Sequence, residues 1–167
     1  MTSKPVEFEV YLRLIELLQG KGWIIVCASP PGGTDNRFRK CLLPRRDLTS
    51  SVRGPRDEVD VTAHNGTIIL LAECKSTLSD SFTVLNALGE SDYDKLKRLA
   101  GTFTSQELAA LIQRGTGVAV PANPIIALAL VVGVVDYAIP PDMTVFEFGD
   151  TIRRMWAVEP LAGVLTI

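Results

Sequence analysis

The 167-residue sequence contains one histidine, His64, and this scarcity excludes several kinds of active site. A zinc site built from several histidines is excluded, as is a Ser-His-Asp triad that uses any other histidine as its base. The Pro30-Pro31-Gly32-Gly33 stretch lacks the Gly-Lys-Ser/Thr of a phosphate-binding loop, and no Gly-x-Gly-x-x-Gly follows a predicted strand. We therefore expect neither ATP hydrolysis nor a nucleotide cofactor.

Cysteines and long apolar segments are also scarce. The three cysteines, Cys27, Cys41 and Cys74, are odd in number and lack metal-ligand spacing, which indicates buried thiols in a reducing compartment. The longest apolar run, residues 125–135, has 11 residues and is too short to cross a bilayer. Acidic residues within positions 5–20 interrupt the pattern of a secretory signal. Together these features predict a cytoplasmic protein that has no membrane segment.

Neither sign of charge dominates the chain as a whole. Lysine and arginine total 17 against 19 acidic residues, and the 47% hydrophobic content suits one globular domain over residues 1–167. The charge is unevenly distributed along the chain, however, because positions 37 to 56 contain seven basic residues and only one acidic residue, Asp47. This segment carries +6, and its basic residues are Arg37, Arg39, Lys40, Arg45, Arg46, Arg53 and Arg56. Such a stretch is either a solvated loop or a phosphate-binding surface.

The apolar pattern predicts alternating helices and strands. It indicates a helix over 5–20, a strand over 23–28, a long loop over 29–56 and a β-hairpin over 57–75. Further helices are predicted over 91–100 and 104–115, the second opened by a capping-box pattern at Thr104. Strands follow over 124–133 and 145–148, and residues 150–157 are interpreted as a brief helix. This order predicts an α/β fold with a mixed central sheet flanked by helices.

The hairpin carries the clearest chemical pattern. With Asn65-Gly66 as its two-residue turn, Asp60, Glu73 and Lys75 lie on one face, and the two acids are diagonal neighbours about 7 Å apart. Carboxylates that close favour a hard cation between them, so we expect Mg²⁺, with Mn²⁺ as a substitute, and the backbone carbonyl of Cys74 as a further ligand. Lys75 would stabilise negative charge on a phosphoryl group. The pattern predicts phosphodiester hydrolysis, and an ordinary salt bridge is its structural alternative.

Asp60 followed by Glu73-Cys74-Lys75 resembles the motif of the PD-(D/E)xK, or restriction-endonuclease-like, nuclease superfamily. The helix and strand that precede the hairpin also resemble the opening of archaeal Holliday-junction resolvases. The resemblance implies a restriction-endonuclease-like core and a helix glutamate, Glu9 or alternatively Glu16, that assists the metal. The family's proline usually directly precedes its aspartate, whereas here Pro55 precedes Arg56-Asp57. Asp57 is therefore an alternative to Asp60.

The resemblance implies a Mg²⁺-dependent DNA endonuclease, preferably of restriction or phage-defence type. A structure-specific repair or junction-resolving nuclease and a non-catalytic DNA-binding subunit are the alternatives, and DNA versus RNA stays open. The basic loop would hold phosphates, while Lys95, Lys97 and Arg98 of the next helix are interpreted as a solvated face. Cutting both strands of a symmetric target suggests a homodimer, with Trp156 and residues 161–167 as its expected interface.

Overall fold

In a computed structural model of the protein, the described residues are 6–32, 34–44 and 56–167, apart from the side chains of residues 41, 44 and 56. The first half of this chain contains α1 (Glu7–Gly20), β1 (Ile24–Ala28), β2 (Cys41–Pro44), β3 (Arg56–Val59), β4 (Val61–His64) and β5 (Ile68–Thr77). The second half contains α2 (Leu78–Thr83), α3 (Asp92–Thr102), α4 (Ser105–Thr116), β6 (Ile125–Val134), β7 (Thr144–Phe148) and β8 (Arg153–Trp156).

A mixed six-stranded sheet organises the fold, in the order β1-β4-β5-β6-β7-β8. The pairs β1–β4, β4–β5 and β7–β8 are antiparallel, whereas β5–β6 and β6–β7 are parallel. A parallel pair needs a crossover connection, and the chain between β5 and β6 supplies it with α2, α3 and α4. The predicted α/β class with a mixed sheet flanked by helices is therefore confirmed.

Alternate residues of β5 pack into two separate cores on the two faces of the sheet. Leu70, Ala72 and Cys74 join the core beneath α1. Ile69 and Leu71 join the core beneath α3 and α4. Because successive strand side chains point to opposite faces, Glu73 and Lys75 belong to the α3 side. These two charged side chains of the hairpin are thereby directed toward a helix that follows them in the chain.

The predicted hairpin forms, but its turn lies one residue later than expected. His64 pairs with Ile69 and Val61 with Ala72, so the predicted pairing of Asp60 with Leu71 is wrong. The reason is that Gly66 has φ 93° while no described non-glycine residue has a positive φ, so Asn65 does not adopt the left-handed conformation that the predicted turn required. Its side chain instead accepts hydrogen bonds from the N–H groups of Thr67 and Ile68. The shift changes the register by two residues, which preserves the faces.

The first hairpin strand is also interrupted at Asp60, where the chain bends between β3 and β4. β4 stays in the large sheet, while β3 leaves it and pairs with β2 in a separate two-stranded ribbon. The bend breaks the alternation of faces. Val61 is in the core beneath α1, whereas Val59 is in the core beneath α3 and α4.

Two segments differ from their predicted secondary structure. The predicted loop 29–56 contains β2, which lacks an alternating pattern strong enough to be recognised and is held by its pairing with β3. Residues 150–157 do not form a helix, because β8 pairs with β7 and satisfies its backbone groups there. The other predicted helices and strands are confirmed, including the capping box that joins Thr104 and Glu107 at the start of α4.

The C-terminal segment packs on the chain's own core. Leu161 and Leu165 are buried beneath the α1 side of the sheet, while Val164 and Ile167 are exposed. Trp156 is partly buried against the opposite core. Much of the apolar surface assigned to a dimer interface is therefore already used within one chain. No helix in the described ranges has the length and apolar character needed to cross a bilayer.

The cysteines are not all free thiols, which corrects the expectation from the sequence. Cys74, on β5, is free and buried in the core beneath α1. Cys27, on β1, is disulfide-bonded. The Ala28 N–H donates to the Arg39 carbonyl at 2.7 Å, so β1 runs beside the segment that leads into β2. This contact between segments distant in sequence was not recognisable from cysteine spacing.

Candidate active site

Asp60 and Glu73 lie directly across from each other where β4 meets the bend. The ladder pairs Val61 with Ala72, so the next position along each strand sets Asp60 against Glu73. Their carboxyl groups are hydrogen-bonded to each other, and the Cys74 N–H donates to Asp60 Oδ2 at 2.8 Å. The structure therefore brings the two predicted acids together more closely than the diagonal arrangement expected from the sequence.

Burial disfavours the ionised form of both carboxyl groups in this pair. It raises the pKa of Asp60 to about 6, although the hydrogen bonds from Glu73 and from the Cys74 N–H oppose the rise. Burial, and then the charge of Asp60, raise the pKa of Glu73 well above its usual range. Two close carboxylates repel when both are ionised, and the pair relieves this by retaining a proton or by binding a cation.

Lys75 projects on the same face, two residues beyond Glu73. Its Nζ is 3.5 Å from Asp92 Oδ2, and the Asp92 side chain is 12% exposed. Burial lowers the pKa of Lys75, but the charges of Asp92, Glu7, Asp60 and Glu73 outweigh this and leave it raised. Lys75 is therefore a cation at neutral pH and can stabilise an anion rather than accept a proton.

A second lysine, which the sequence analysis assigned to a solvated face, completes the cluster. Lys95 of α3 is buried, with Nζ 2.6 Å from Glu73 Oε1 and hydrogen-bonded to the Glu58 carbonyl at 2.9 Å. The interpretation of that helix face as solvated is also wrong for Arg98, which pairs with Asp57 and Glu90. Lys97 is half exposed and pairs with Asp142.

A signal for the missed residues is visible in the sequence of α3. Asp92, Lys95, Leu96 and Leu99 recur at spacings of three and four, so they share one helix face, and all four are buried. Charged residues within an apolar stripe are rarely buried unless they are paired. If α3 is interpreted from this apolar stripe rather than from its number of basic residues, Asp92 and Lys95 are predicted to face the sheet that carries the hairpin.

The cluster forms the floor of an open pocket of about 570 Å³. One wall is the loop after β1, with Pro30, Pro31 and Gly32, and the other is the loop that follows α2, with Ala87 and Leu88. Asn86 stabilises the second loop, because its Oδ1 accepts hydrogen bonds from the N–H groups of Leu88 and Glu90. The pocket is therefore lined by the charged groups of the cluster and by both polar and apolar groups of the surrounding segments.

The donor set suits a magnesium-type cation that keeps part of its hydration shell. Within residues 6–32, 34–44 and 56–167, no group of three or more His, Cys, Asp or Glu side chains is arranged to hold a metal ion. Mg²⁺ commonly takes only one or two protein carboxylates together with waters and substrate phosphates. Asp60 and Glu73 would supply the two carboxylates. The Cys74 carbonyl points to the same strand edge as the Cys74 N–H that reaches Asp60, so it fits the predicted third ligand.

Glu7 is an acid of α1 whose charge acts on Lys75. Glu9 and Glu16 are exposed on α1. Glu7 is partly buried, and its charge contributes to raising the pKa values of Lys75 and Cys74. Glu7 lies one turn before Tyr11, which is fully buried, so it is on the face of α1 that meets the sheet. Glu9, the predicted residue, lies two positions after Glu7 and is therefore rotated by about half a helical turn from the face that meets the sheet.

Asp57, the alternative metal-binding aspartate, lines the same pocket but is directed differently. It lies on β3, and its Oδ1 is 2.7 Å from the Arg98 guanidinium, which also holds Glu90. This pairing connects the ribbon to α3. Asp60, which lies against Glu73, is the aspartate that the structure places at the carboxyl pair.

The basic segment is only partly within the described residues. Arg37, Arg39 and Lys40 are exposed, and Lys40 lines the pocket. Arg37 is held by Asp35 through two short contacts and stacks over the Phe38 ring at 5.1 Å. The remaining predicted phosphate-binding groups, Arg45, Arg46, Arg53 and the side chain of Arg56, lie outside the described residues.

Comparisons of the chain with protein-family models, with curated proteins and with solved structures each found no match.

Proposed function

We propose that the chain is a Mg²⁺-dependent nuclease of the PD-(D/E)xK type that hydrolyses phosphodiester bonds in DNA. The observation that carries the proposal is the buried, hydrogen-bonded pair of Asp60 and Glu73, with the Lys75 ammonium beside it at the base of an open pocket. An ordinary surface salt bridge would not explain two carboxylates buried against each other. Such burial is unfavourable unless a cation or a proton occupies the pair.

In this proposal Asp60, Glu73 and the Cys74 carbonyl hold the cation. When bound, it would neutralise charge on the phosphoryl group and make nearby water more acidic. Water attacks phosphorus, a new P–O bond forms, the bond to the leaving oxygen breaks, and the proton that the water loses passes through solvent to the leaving oxygen. Lys75 stays protonated and stabilises the charge that develops on the non-bridging oxygens.

The walls of the pocket support a strand of nucleic acid as the substrate. Lys40 at the rim is 65% exposed and is a suitable partner for a backbone phosphate. The sequence places four further arginines between positions 45 and 56, close along the chain to the ribbon that borders the pocket. This concentration of positive charge beside an acidic site favours a phosphate-containing polymer over a small neutral substrate.

Within the nuclease class we favour a restriction or phage-defence role over repair or junction resolution, because the basic segment is long. A homodimer would allow the enzyme to cut both strands. Since Leu161 and Leu165 are already buried within one chain, the exposed Val164 and Ile167 are the better candidates for contact with a second copy.

The test is cleavage of labelled plasmid duplex, four-way junction and single-stranded DNA, with RNA as a fourth substrate, each in Mg²⁺, Mn²⁺ or EDTA. We expect metal-dependent cleavage that falls by about 10²–10³-fold in Lys75→Met, the usual effect of removing one group that stabilises transition-state charge. Lys97→Met is the matched control, because Lys97 is exposed on α3 and pairs with Asp142. Cleavage that persists in EDTA or in Lys75→Met would refute the proposal. Binding without cleavage would favour a DNA-binding subunit.

A further inference from the structure

The Glu73 carboxylate already has a cation on one of its oxygens. Lys95 Nζ is 2.6 Å from Glu73 Oε1, and both side chains are almost fully buried. The Glu58 carbonyl accepts a second hydrogen bond from the same ammonium group. Lys95 is thus fixed from two sides, by an acid of β5 and by a backbone group of β3.

The charges of the cluster explain why a lysine is placed there. The side chains of Asp60, Glu73 and Asp92 supply three carboxyl groups, while Lys75 and Lys95 supply two ammonium groups. Removing one ammonium leaves buried carboxylates with too little positive charge, which strongly disfavours the folded state. A divalent cation placed between Asp60 and Glu73 would supply the same compensation, but it would repel an ammonium that stayed on the Glu73 oxygen.

We propose that Lys95 is a built-in counter-ion that occupies Glu73 in the metal-free protein and must move off it when the metal binds. This inference rests on the proposed metal site. Lys95 is a positioning residue here, because it acts through Glu73. The lysine keeps the empty site folded and lowers its affinity for metal. α3 thereby takes part in metal binding without supplying a ligand.

The experiment compares Lys95→Met with the wild type by Mn²⁺ calorimetry and by thermal unfolding in EDTA and in Mn²⁺. We expect Lys95→Met to melt several degrees lower than the wild type in EDTA. It should bind Mn²⁺ at least about tenfold more tightly. Addition of Mn²⁺ should therefore raise its melting temperature more than that of the wild type. Lys95→Arg keeps a cation and should retain a wild-type affinity within a few-fold. Lys97→Met, on the exposed side of the same helix, should change neither quantity.

The outcomes separate this inference from the proposed function. Mn²⁺ binding that is equal or weaker in Lys95→Met overturns the counter-ion role while leaving the metal site intact. Absence of Mn²⁺ binding in both proteins refutes the metal site and the inference with it. If Lys95→Met is unfolded in EDTA, recovery of its far-UV circular dichroism on adding Mn²⁺ supports the inference. Failure to recover overturns it, because a merely structural lysine cannot be replaced by a metal.

Discussion

Replacing Asp60 by asparagine should stabilise the metal-free protein at alkaline pH. Asparagine has the shape of a protonated aspartate, so its side-chain oxygen can still accept from the Cys74 N–H and its amide can donate to Glu73. It cannot ionise, and it therefore removes the repulsion between two buried carboxylates. Most substitutions of buried groups destabilise a protein, which makes a gain in stability here a specific expectation.

The magnitude follows from the pKa of Asp60. Burial raises this pKa from 3.8 to about 6, so the folded protein keeps a proton that the unfolded chain has already released. The free energy of unfolding therefore falls as pH rises between about 4 and 6, and the loss is complete above that window. At about 1.4 kcal/mol per pKa unit, ionised Asp60 destabilises the folded state by about 3 kcal/mol. In a chain of this length, that corresponds to a melting temperature about 6–12 °C higher for D60N.

The assay is thermal unfolding of both proteins in EDTA from pH 4 to pH 8. The gain for D60N should be largest at pH 8 and should disappear near pH 4, where Asp60 of the wild type is protonated. Glu58→Gln is the control, since the Glu58 side chain is half exposed at the same pocket and its replacement should change stability by less than about 0.5 kcal/mol. A D60N protein that melts below the wild type at pH 8, or a gain that is equal at both pH values, would refute the reasoning.

Two further predictions concern the scaffold. Leu14→Ala should lower the free energy of unfolding by about 2–5 kcal/mol in urea titrations, because Leu14 is fully buried between α1 and the sheet. Leu12→Ala, on the exposed side of α1, should have little effect. Equal losses in the two variants would contradict the assigned face of the helix. Thr104→Ala should lower the free energy of unfolding by about 1 kcal/mol, because it removes the capping box. Thr104→Ser should retain most of the stability. An unchanged urea midpoint in the alanine variant would contradict the role of Thr104 as the helix cap.

Local signals were sufficient for most of the fold. The apolar spacing of α1, the capping box at Thr104 and the continuous apolar run of β6 each depend on neighbouring residues, and each was predicted correctly. β2 and β8 were not, because each is a short strand whose backbone groups are satisfied by a partner that the local sequence does not reveal. Pairing partners, rather than propensity, decide such strands.

Local sequence signals were likewise sufficient for part of the candidate site. Strand parity was enough to place Asp60, Glu73 and Lys75 on one face, and a turn displaced by one residue did not change that result. Lys95 was missed because its role depends on how α3 packs against the hairpin, which is information that spans the two elements. Glu9 was selected from the resemblance to the resolvase opening rather than from the helix face, so the partly buried Glu7 was not considered.

Because of the bend, Asp60 lies at the junction between the six-stranded sheet and the two-stranded ribbon. On one side β4 is anchored in the six-stranded sheet, and on the other β3 belongs to the ribbon. β2 ends at Pro44 and β3 begins at Arg56, so the ribbon holds both ends of the segment that carries Arg45, Arg46 and Arg53. The four residues of β3 are therefore the whole covalent connection between the end of that segment and Asp60.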